Sequence, residues 1–207
     1  MSGGMAELRD SGIMIQLAHH AMLKMGINAD EVWQRLGVTP EVLQDRNLRT
    51  PHDAQIIFWS VMEEVSGDPD IGIHLGENMP VYKGQVLQYL FLSSPTFGEG
   101  LKRALSYQRL LSDASQASIE IDSHQASVKV ESASDKVTGL RHLNECMVLG
   151  LVRFFEYVTD EQFRPAAIEF THPEPENCSE HHRIFDCDVR FGCSENRIRF
   201  DDSLLDL

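Results

Sequence analysis

Residues 84–114 read GQVLQYLFLSSPTFGEGLKRALSYQRLLSDA, two apolar helical segments separated by the polar sequence SSPT at 93–96. Thr96 and Glu99 form a T-x-x-E capping box, which predicts that the second helix begins here. Beyond the box, positions spaced by three and four residues form one stripe, as expected for a helix with a buried face. The stripe consists of Leu101, Ala104, Leu105, Gln108, Leu111 and Ala114. The rest of the chain must therefore supply a core for this face.

Beyond residue 114 the hydrophobic period changes from helical to alternating. Residues 118–122 and 127–131 alternate apolar and polar side chains, which predicts an antiparallel hairpin with one solvated face. Residues 140–158 return to helical spacing and predict a long helix. A further strand is predicted at 167–170, a short helix at 178–185, and two final strands near 189–191 and 197–200.

The N-terminal part of the chain is predicted to be helical. Glycines placed to end helices follow apolar-periodic stretches at 11–26 and 28–37, and Thr50 with Pro51 is expected to start another helix. The predicted fold is α+β, an N-terminal helical cluster packed on a small antiparallel sheet that a long helix crosses. The expected division is a tag or disordered start at 1–10, a helical subdomain at 11–83 and an α+β subdomain at 84–207.

The chain is strongly acidic. It carries 18 Lys and Arg against 32 Asp and Glu, a formal net charge of -14, so on its own it is expected to bind nucleic acid poorly. The helix–turn–helix order at 28–46 holds four acidic and two basic residues, which favours a structural role. An apolar run of membrane-spanning length and a signal peptide are both lacking, which predicts a cytoplasmic chain with reduced cysteines.

Motifs of enzymes and bound cofactors do not occur. The sequence has no G-x-S-x-G elbow, no phosphate-binding loop and no H-E-x-x-H, so we expect neither catalysis nor a cofactor. Thiol and imidazole groups between 178 and 193 provide enough donors for zinc, but their spacing is irregular and without a Cys-x-x-Cys pair. We therefore favour a packing role and keep a zinc or redox switch as an alternative for Cys178, His181, His182, Cys187 and Cys193.

Polar residues on otherwise apolar surfaces are the candidate ligand contacts. His142 and Glu145 lie three residues apart, so both can project from one side of the long helix. Tyr82, Tyr107 and Arg109 add hydroxyl and cationic groups if they face the same cavity. The alternative for Glu145 is an ion pair with Arg109 or with Arg141.

Several motifs, in this order and spacing, resemble the effector-binding N-terminal domain of AraC-type transcription regulators. The branch resembled has a largely helical start instead of a cupin-like sugar sensor. The matching residues cover roughly 13–207 and are IGIHLG at 71–76, Gly84, LSSPTFGE at 92–99, Tyr107, Glu145, FTHPEP at 170–175, FDCDVRFG at 185–192 and residues 196–200.

The resemblance implies a sensor domain that binds a small organic effector and controls promoter DNA through a separate C-terminal helix-turn-helix module. That module is expected to follow this chain, and its absence agrees with the acidic composition. The resemblance also implies a bacterial protein that can form a homodimer, and it specifies no particular effector. The remaining alternative is a dimerisation module that senses nothing, which an exposed apolar helix face would indicate.

Overall fold

A computed structural model describes residues 7–45, 47–80 and 86–207 of the chain. The helices are α1 (Ile13–Met25), α2 (Ala29–Leu36), α3 (Pro40–Gln44), α4 (Gln55–Ser66), α5 (Ile71–Asn78), α6 (Val86–Leu92), α7 (Phe97–Ser106), α8 (Arg141–Val158) and α9 (Ser179–Phe185). The strands are β1 (Arg9–Ser11), β2 (Arg49–Pro51), β3 (Ser115–Asp122), β4 (Gln125–Ser132), β5 (Ala167–Glu169), β6 (Asp188–Arg190) and β7 (Asn196–Asp201). No helix in these ranges is both long enough and apolar enough to span a membrane.

The N-terminal helices form one layer with their own core, as the periodicity predicts. Gly26 and Gly37 end α1 and α2 with φ of 71° and 68°, the left-handed region in which a side chain is strained. The Asn28 side chain caps α2 by accepting a hydrogen bond from the Glu31 amide at 3.2 Å. The buried faces of this layer meet in a cluster that includes Met22, Val32, Trp33, Met62, Ile71 and Leu75.

The second layer is a five-stranded sheet with the strand order β3-β4-β7-β5-β6. Its pairings are antiparallel except for β5 with β6, which are parallel. The parallel pair arises because α9 lies between these two strands in the chain, and parallel neighbours need such a crossover. The predicted α+β fold and small antiparallel sheet are thus confirmed, with one parallel edge pair. The core of this layer is rich in phenylalanine, including Phe97, Phe155, Phe163, Phe170 and Phe200.

Helix α8 joins the two layers. Leu143 and Cys146 pack in the helical core, Val148 and Leu149 in the sheet core, and Met147 contacts both. Helix α5 approaches α8 closely at Gly72, which has no side chain. A Cβ atom at this position would lie 2.4 Å from the Cα of His142 in the facing helix. The two predicted subdomains therefore share one helix, while the boundary proposed at residue 83 falls outside the described ranges.

Helix α7 is shorter than the apolar stripe predicts. It begins at the Thr96 cap, whose hydroxyl accepts from the Glu99 amide at 3.2 Å, but it ends at Ser106 and not near Ala114. A 3-10 turn at Gln108–Leu110 follows because the Gln108 side chain bonds the backbone of the hairpin instead. Its amide oxygen accepts from Ala117 N at 2.6 Å and its Nε2 donates to Ala117 O at 3.2 Å.

The start of the chain also differs from the prediction. Residues 9 and 10 are not a tag or a disordered start, because β1 pairs antiparallel with β2 and sets Asp10 opposite Thr50. Thr50 is therefore a strand residue and not a helix cap, which corrects the predicted helix start. A 3-10 turn at His52–Ala54 follows and leads into α4.

The last residues of the chain fold back onto the start of α7. The 3-10 segment Asp202–Asp206 contacts this helix, and Phe97 N donates a hydrogen bond to Leu207 O at 2.6 Å. A Cβ atom at Gly98 would lie 3.0 Å from Leu205 O, so glycine permits the close approach. The C-terminal segment is thereby attached to a helix of the sheet layer.

Candidate functional site

Two adjoining cavities lie along α8. The first, of about 150 Å³, is enclosed by α6, α7, the β3–β4 hairpin and α8, and we call it the sheet-side cavity. Its walls are mainly apolar and include Phe91, Leu101, Ala104, Val128, Leu151 and Phe154. The second, of about 290 Å³, lies among α1, α2, α4 and α8, and we call it the helix-side cavity. Its walls include Ile15, Ala18, Trp33, Phe58, Trp59 and Met79.

The two cavities share part of their lining. Asp10, Met14, Gln55, Leu143 and Met147 border both of them. Two of these five shared residues are polar, and Asp10 alone carries a charge. The cavities therefore adjoin at a junction lined by three apolar residues, one amide and the residue Asp10.

Asp10 is buried in a dense set of hydrogen bonds. Both of its carboxylate oxygens lie 2.9 Å from His52 Nδ1, Ser112 Oγ donates at 2.6 Å, and Gln55 Nε2 donates at 3.1 Å. A carboxylate only accepts, so His52 carries its proton on Nδ1, and Nε2 lies 3.0 Å from the Ser132 hydroxyl. Burial raises the pKa of Asp10, but the bonds from His52, Ser112 and Gln55 outweigh it and hold the pKa below its usual value. The Asp10 side chain is consequently ionised at neutral pH.

The backbone explains why Asp10 reaches this position. Ser11 N donates to Leu111 O at 2.7 Å and Asp113 N donates to Arg9 O at 2.9 Å, so β1 lies against the segment before the hairpin as well as against β2. Strand β1 thus connects the helical layer to the sheet layer across the junction of the cavities.

Charged groups are scarce in both cavities. Among the described lining residues of the sheet-side cavity, the ionisable ones are Asp10 and His52. In the helix-side cavity the described lining adds Arg35, which forms an ion pair with Glu64. The same cavity is lined by Trp59, whose buried indole Nε1 has no hydrogen-bond partner in the part of the chain that the structure describes. A buried donor without an acceptor costs free energy, and Glu145 Oε2, His172 Nε2 and His181 Nδ1 are likewise without a partner among the described residues.

A second polar cluster surrounds Glu145, whose side chain is 0% exposed. Its Oε1 accepts from Arg141 Nε at 2.7 Å, lies 2.6 Å from His181 Nε2 and lies 3.5 Å from His172 Nε2. His142 Nδ1 is 3.7 Å from Oε2. Burial raises the pKa of Glu145, but the contacts with His142, His181 and Arg141 outweigh burial and leave the pKa at about 2. Arg141 also pairs with Asp70, so this cluster connects α8 to the start of α5.

Four of the five residues predicted to contact a ligand are among the described residues, and these four lie in two places. His142 and Glu145 are brought together, and Glu145 makes the predicted alternative ion pair with Arg141; neither belongs to the described lining of the cavities. Tyr107 is 52% exposed, and Arg109 is exposed within the 3-10 turn. Tyr82 lies outside the described residues. A ligand contact by any of these five residues stays a prediction.

The sequence analysis missed Asp10, His52, Gln55 and Trp59. Asp10 was missed because residues 1–10 were set aside as a tag. Residues 8–12 read LRDSG, which has no regular alternation, and three residues are too few to predict a strand on their own.

The described residues do not provide a set of metal ligands for the zinc or redox alternative. All four cysteines are free, and within the described ranges no group of three or more His, Cys, Asp or Glu side chains is arranged to hold a metal ion. Cys187 is half-buried, and burial raises its pKa to about 11, which disfavours the reactive thiolate. Cys178, His182 and Cys193 lie on the flanks and surface of α9 and of the β6–β7 connection.

The fold is shared with a transcription regulator. The structure is similar to that of transcriptional regulator CdpR from Pseudomonas aeruginosa, with a TM-score of 0.56 and 15% sequence identity. The match covers 86% of this chain and 55% of that chain. At this identity the similarity establishes the fold alone.

The sequence identifies the family. The family described as the arabinose-binding domain of AraC transcription regulators, N-terminal, matches residues 26–207, and the chain belongs to this family. It is also 23% identical over 167 residues to the ornithine utilization regulator of Pseudomonas aeruginosa, a match that covers 80% of this chain and 49% of that protein. The chain thus spans about half the length of this relative. Both of these proteins are described as regulators.

Proposed function

We propose that this chain is the effector-sensing domain of an AraC-type regulator and that a small organic molecule binds in the two adjoining cavities. The observation that supports the proposal is an apolar space at the junction of the two layers with one buried carboxylate in its wall. Effector binding then controls promoter DNA through a C-terminal DNA-binding module.

The size and lining of the cavities support this role. An apolar cavity of about 150 Å³ accepts a benzene-sized molecule. Ligand sites are typically apolar clefts of roughly 300–1,000 Å³ with a few well-placed polar groups. The helix-side cavity, at about 290 Å³, approaches that range alone, and the sheet-side cavity of about 150 Å³ adjoins it. A molecule that occupies both spaces would contact α7 and α8 together.

Helix α7 offers a route from the cavity to the end of the chain. Leu101 and Ala104 line the sheet-side cavity, and at its first turn the same helix holds Leu207 and packs against Leu205. An effector that favours one position of α7 would shift the C-terminal segment with it, to the extent of its differential affinity for the two positions. This coupling gives the effector a path to the DNA-binding module.

A fluorescent probe tests the cavity. N-phenyl-1-naphthylamine is neutral, apolar and bright in apolar surroundings, and we expect saturable binding of one molecule per chain. Ala104→Met places a longer side chain in the sheet-side cavity and is expected to weaken binding at least about tenfold. Ala133→Met, at an exposed position, is the matched control and should bind like the unaltered chain. Non-saturable binding, or equal binding by both variants, would rule the cavity out as an effector site.

The dimerisation alternative has one observation in its favour. Helix α6 exposes Tyr89 (64%) and Leu92 (59%), and α1 exposes Leu23 (59%), whereas α7 buries Leu101. Sedimentation equilibrium of the chain and of Tyr89→Ser with Leu92→Ser distinguishes the two roles. A tight dimer that the double variant dissociates, together with no probe binding, would favour a dimerisation module without a sensor.

A further inference from the structure

The charged and imidazole side chains that border the sheet-side cavity are already bonded within the protein. Asp10 shows this most clearly, because a carboxylate has about four acceptor positions. Two contacts from His52, one from Ser112 and one from Gln55 fill these positions. The other ring nitrogen of His52, Nε2, lies 3.0 Å from the Ser132 hydroxyl. A ligand group that binds Asp10 or His52 must therefore displace a partner that the protein supplies.

The uncharged polar side chains of the same lining are committed in a similar way. Gln108 bonds one backbone residue of β3 through both ends of its amide, at 2.6 and 3.2 Å. The Ser112 hydroxyl donates to Asp10 and accepts from two backbone amides, at 3.0 and 2.8 Å. The Ser115 hydroxyl donates to a methionine sulfur at 3.4 Å. Gln116 is exposed and can bond to water.

The buried polar atoms that lack a partner lie elsewhere. Among the described residues these atoms belong to four residues, none of which lines the sheet-side cavity: Trp59, Glu145, His172 and His181. The described lining of this cavity also contains no Lys or Arg. A hydroxyl, amide or charge on a ligand would lose its bonds to water here and find no free buried side-chain partner. That loss is unfavourable for a neutral polar group and larger for a charge of either sign.

The remaining wall consists of hydrocarbon side chains. Phe91, Phe154 and Phe155 contribute aromatic rings, and Leu101 and Val128 contribute aliphatic groups. An apolar protein cavity of about 150 Å³, the volume found here, stays dry and holds benzene. The volume and the wall therefore fit a compact hydrocarbon group.

We infer that the sheet-side cavity binds a hydrocarbon group of about six to nine carbon atoms that carries no charge and no hydrogen-bonding atom. This inference rests on the proposed function, because it specifies which part of the effector occupies this cavity. Any polar part of the effector lies in the helix-side cavity, whose lining includes the exposed residues Arg35, Pro51 and Ile57. The sheet-side cavity thus selects effectors by the size and the apolar character of one end.

Matched probes test the inference on the unaltered chain. Ethylbenzene, benzyl alcohol and benzylammonium have equal numbers of non-hydrogen atoms and end in a methyl, a hydroxyl and a charged amine. Isopropylbenzene and benzoate are a second matched pair, in which benzoate is an anion. Isothermal titration calorimetry gives the dissociation constants. We expect the alcohol to bind at least about tenfold more weakly than ethylbenzene, and each ion at least about a hundredfold more weakly than its matched hydrocarbon.

Variants of β4 assign the preference to this cavity. Val128 and Val130 line it from buried positions, and threonine at either site puts a hydroxyl into the wall. Val128→Thr or Val130→Thr should reduce the preference for ethylbenzene over benzyl alcohol at least about threefold. Val148→Thr is the matched control, since Val148 is as buried as Val128 in the same core but is not part of the described lining. It should leave the preference unchanged, and circular dichroism verifies the fold of each variant.

The outcomes separate the two proposals. The inference is overturned, and the cavities remain an effector site, if an alcohol or an ion binds less than about tenfold more weakly than its matched hydrocarbon. The same holds if ethylbenzene does not bind while N-phenyl-1-naphthylamine does, or if the preference is unchanged in both folded threonine variants of β4. If N-phenyl-1-naphthylamine itself does not bind, both the inference and the proposed function fail. The preference measured on the unaltered chain decides the matter even if neither variant folds.

Discussion

Replacing Glu145 with glutamine is expected to destabilise the protein strongly at neutral pH and to flatten its acid transition. The side chain is fully buried, and its carboxylate contacts Arg141 and His181 at 2.7 and 2.6 Å. Glutamine keeps the shape but removes the charge that pairs with the half-buried Arg141, which keeps Asp70 as its second partner. Breaking a fully buried ion pair from one side costs about 3–5 kcal/mol, so the lower end of this range is expected here.

The pKa of Glu145 gives an independent magnitude. A folded-state pKa of about 2 against the ordinary 4.5 corresponds to roughly 3 kcal/mol of stability. Because the folded pKa is the lower one, this stabilisation is fully present above pH 4.5. It is lost as the pH falls from 4.5 to about 2, where the unfolded chain binds the proton first.

Urea unfolding at pH 7, 5 and 3, followed by circular dichroism, provides the measurement. Other carboxylates also titrate, so the decisive quantity is the difference in unfolding free energy between the unaltered chain and Glu145→Gln at each pH. This difference should be largest at pH 7 and should shrink by pH 3. Glu176→Gln, at an exposed position in the loop before α9, is the matched control and should behave like the unaltered chain. A constant difference across the three pH values would refute the linkage argument, and a stable Glu145→Gln at pH 7 would refute the role of the ion pair.

Three further predictions concern stability. Gly72→Ala should cost about 1–3 kcal/mol, since its Cβ would lie 2.4 Å from the Cα of His142, whereas Gly139→Ala, with open space around its Cβ, should be tolerated; urea unfolding compares the two. Thr96→Ala removes the cap of α7 and should cost about 1 kcal/mol in the same assay, while Thr96→Ser should restore most of it. Gln108→Leu should cost about 1–2 kcal/mol and accelerate amide hydrogen exchange at the start of β3, because its side chain bonds that strand.

Each of these has a contrary result. Equal stability of the two glycine variants would mean that α5 and α8 separate without cost. If Thr96→Ala unfolds at the same urea concentration as the unaltered chain, the cap contributes nothing to the stability of α7. Unchanged exchange in β3 after Gln108→Leu would show that the strand is held by its backbone bonds alone.

Local signals predicted most of the elements. The cap at Thr96, the glycine stops at Gly26 and Gly37, the hairpin and α8 all depend on residues within a few positions of one another, and all are confirmed. The i, i+3 spacing likewise brought His142 close to Glu145.

Pairings between strands that lie far apart in the chain could not be predicted from the sequence. Strands β1 and β2 have three residues each and meet across some forty positions, so neither carries a hydrophobic period of its own. The same pairing puts Asp10 beside His52 and creates the junction of the cavities, which is why these site residues could not be predicted. The end of α7 at Ser106 was missed because Gln108 fits the helical stripe but bonds the hairpin instead.

Because β1 connects the helical layer to the sheet layer, its position determines where the chain can be shortened. The family match starts at residue 26, which would seem a natural place to cut when designing shorter versions. A fragment that begins at residue 26 would lack Asp10, Met14 and all of α1. The helical core would then be exposed, and the helix-side cavity would be open to water. Binding measurements on such a fragment would then describe an incomplete cavity. Protein prepared for ligand-binding experiments should therefore include the first twenty-five residues.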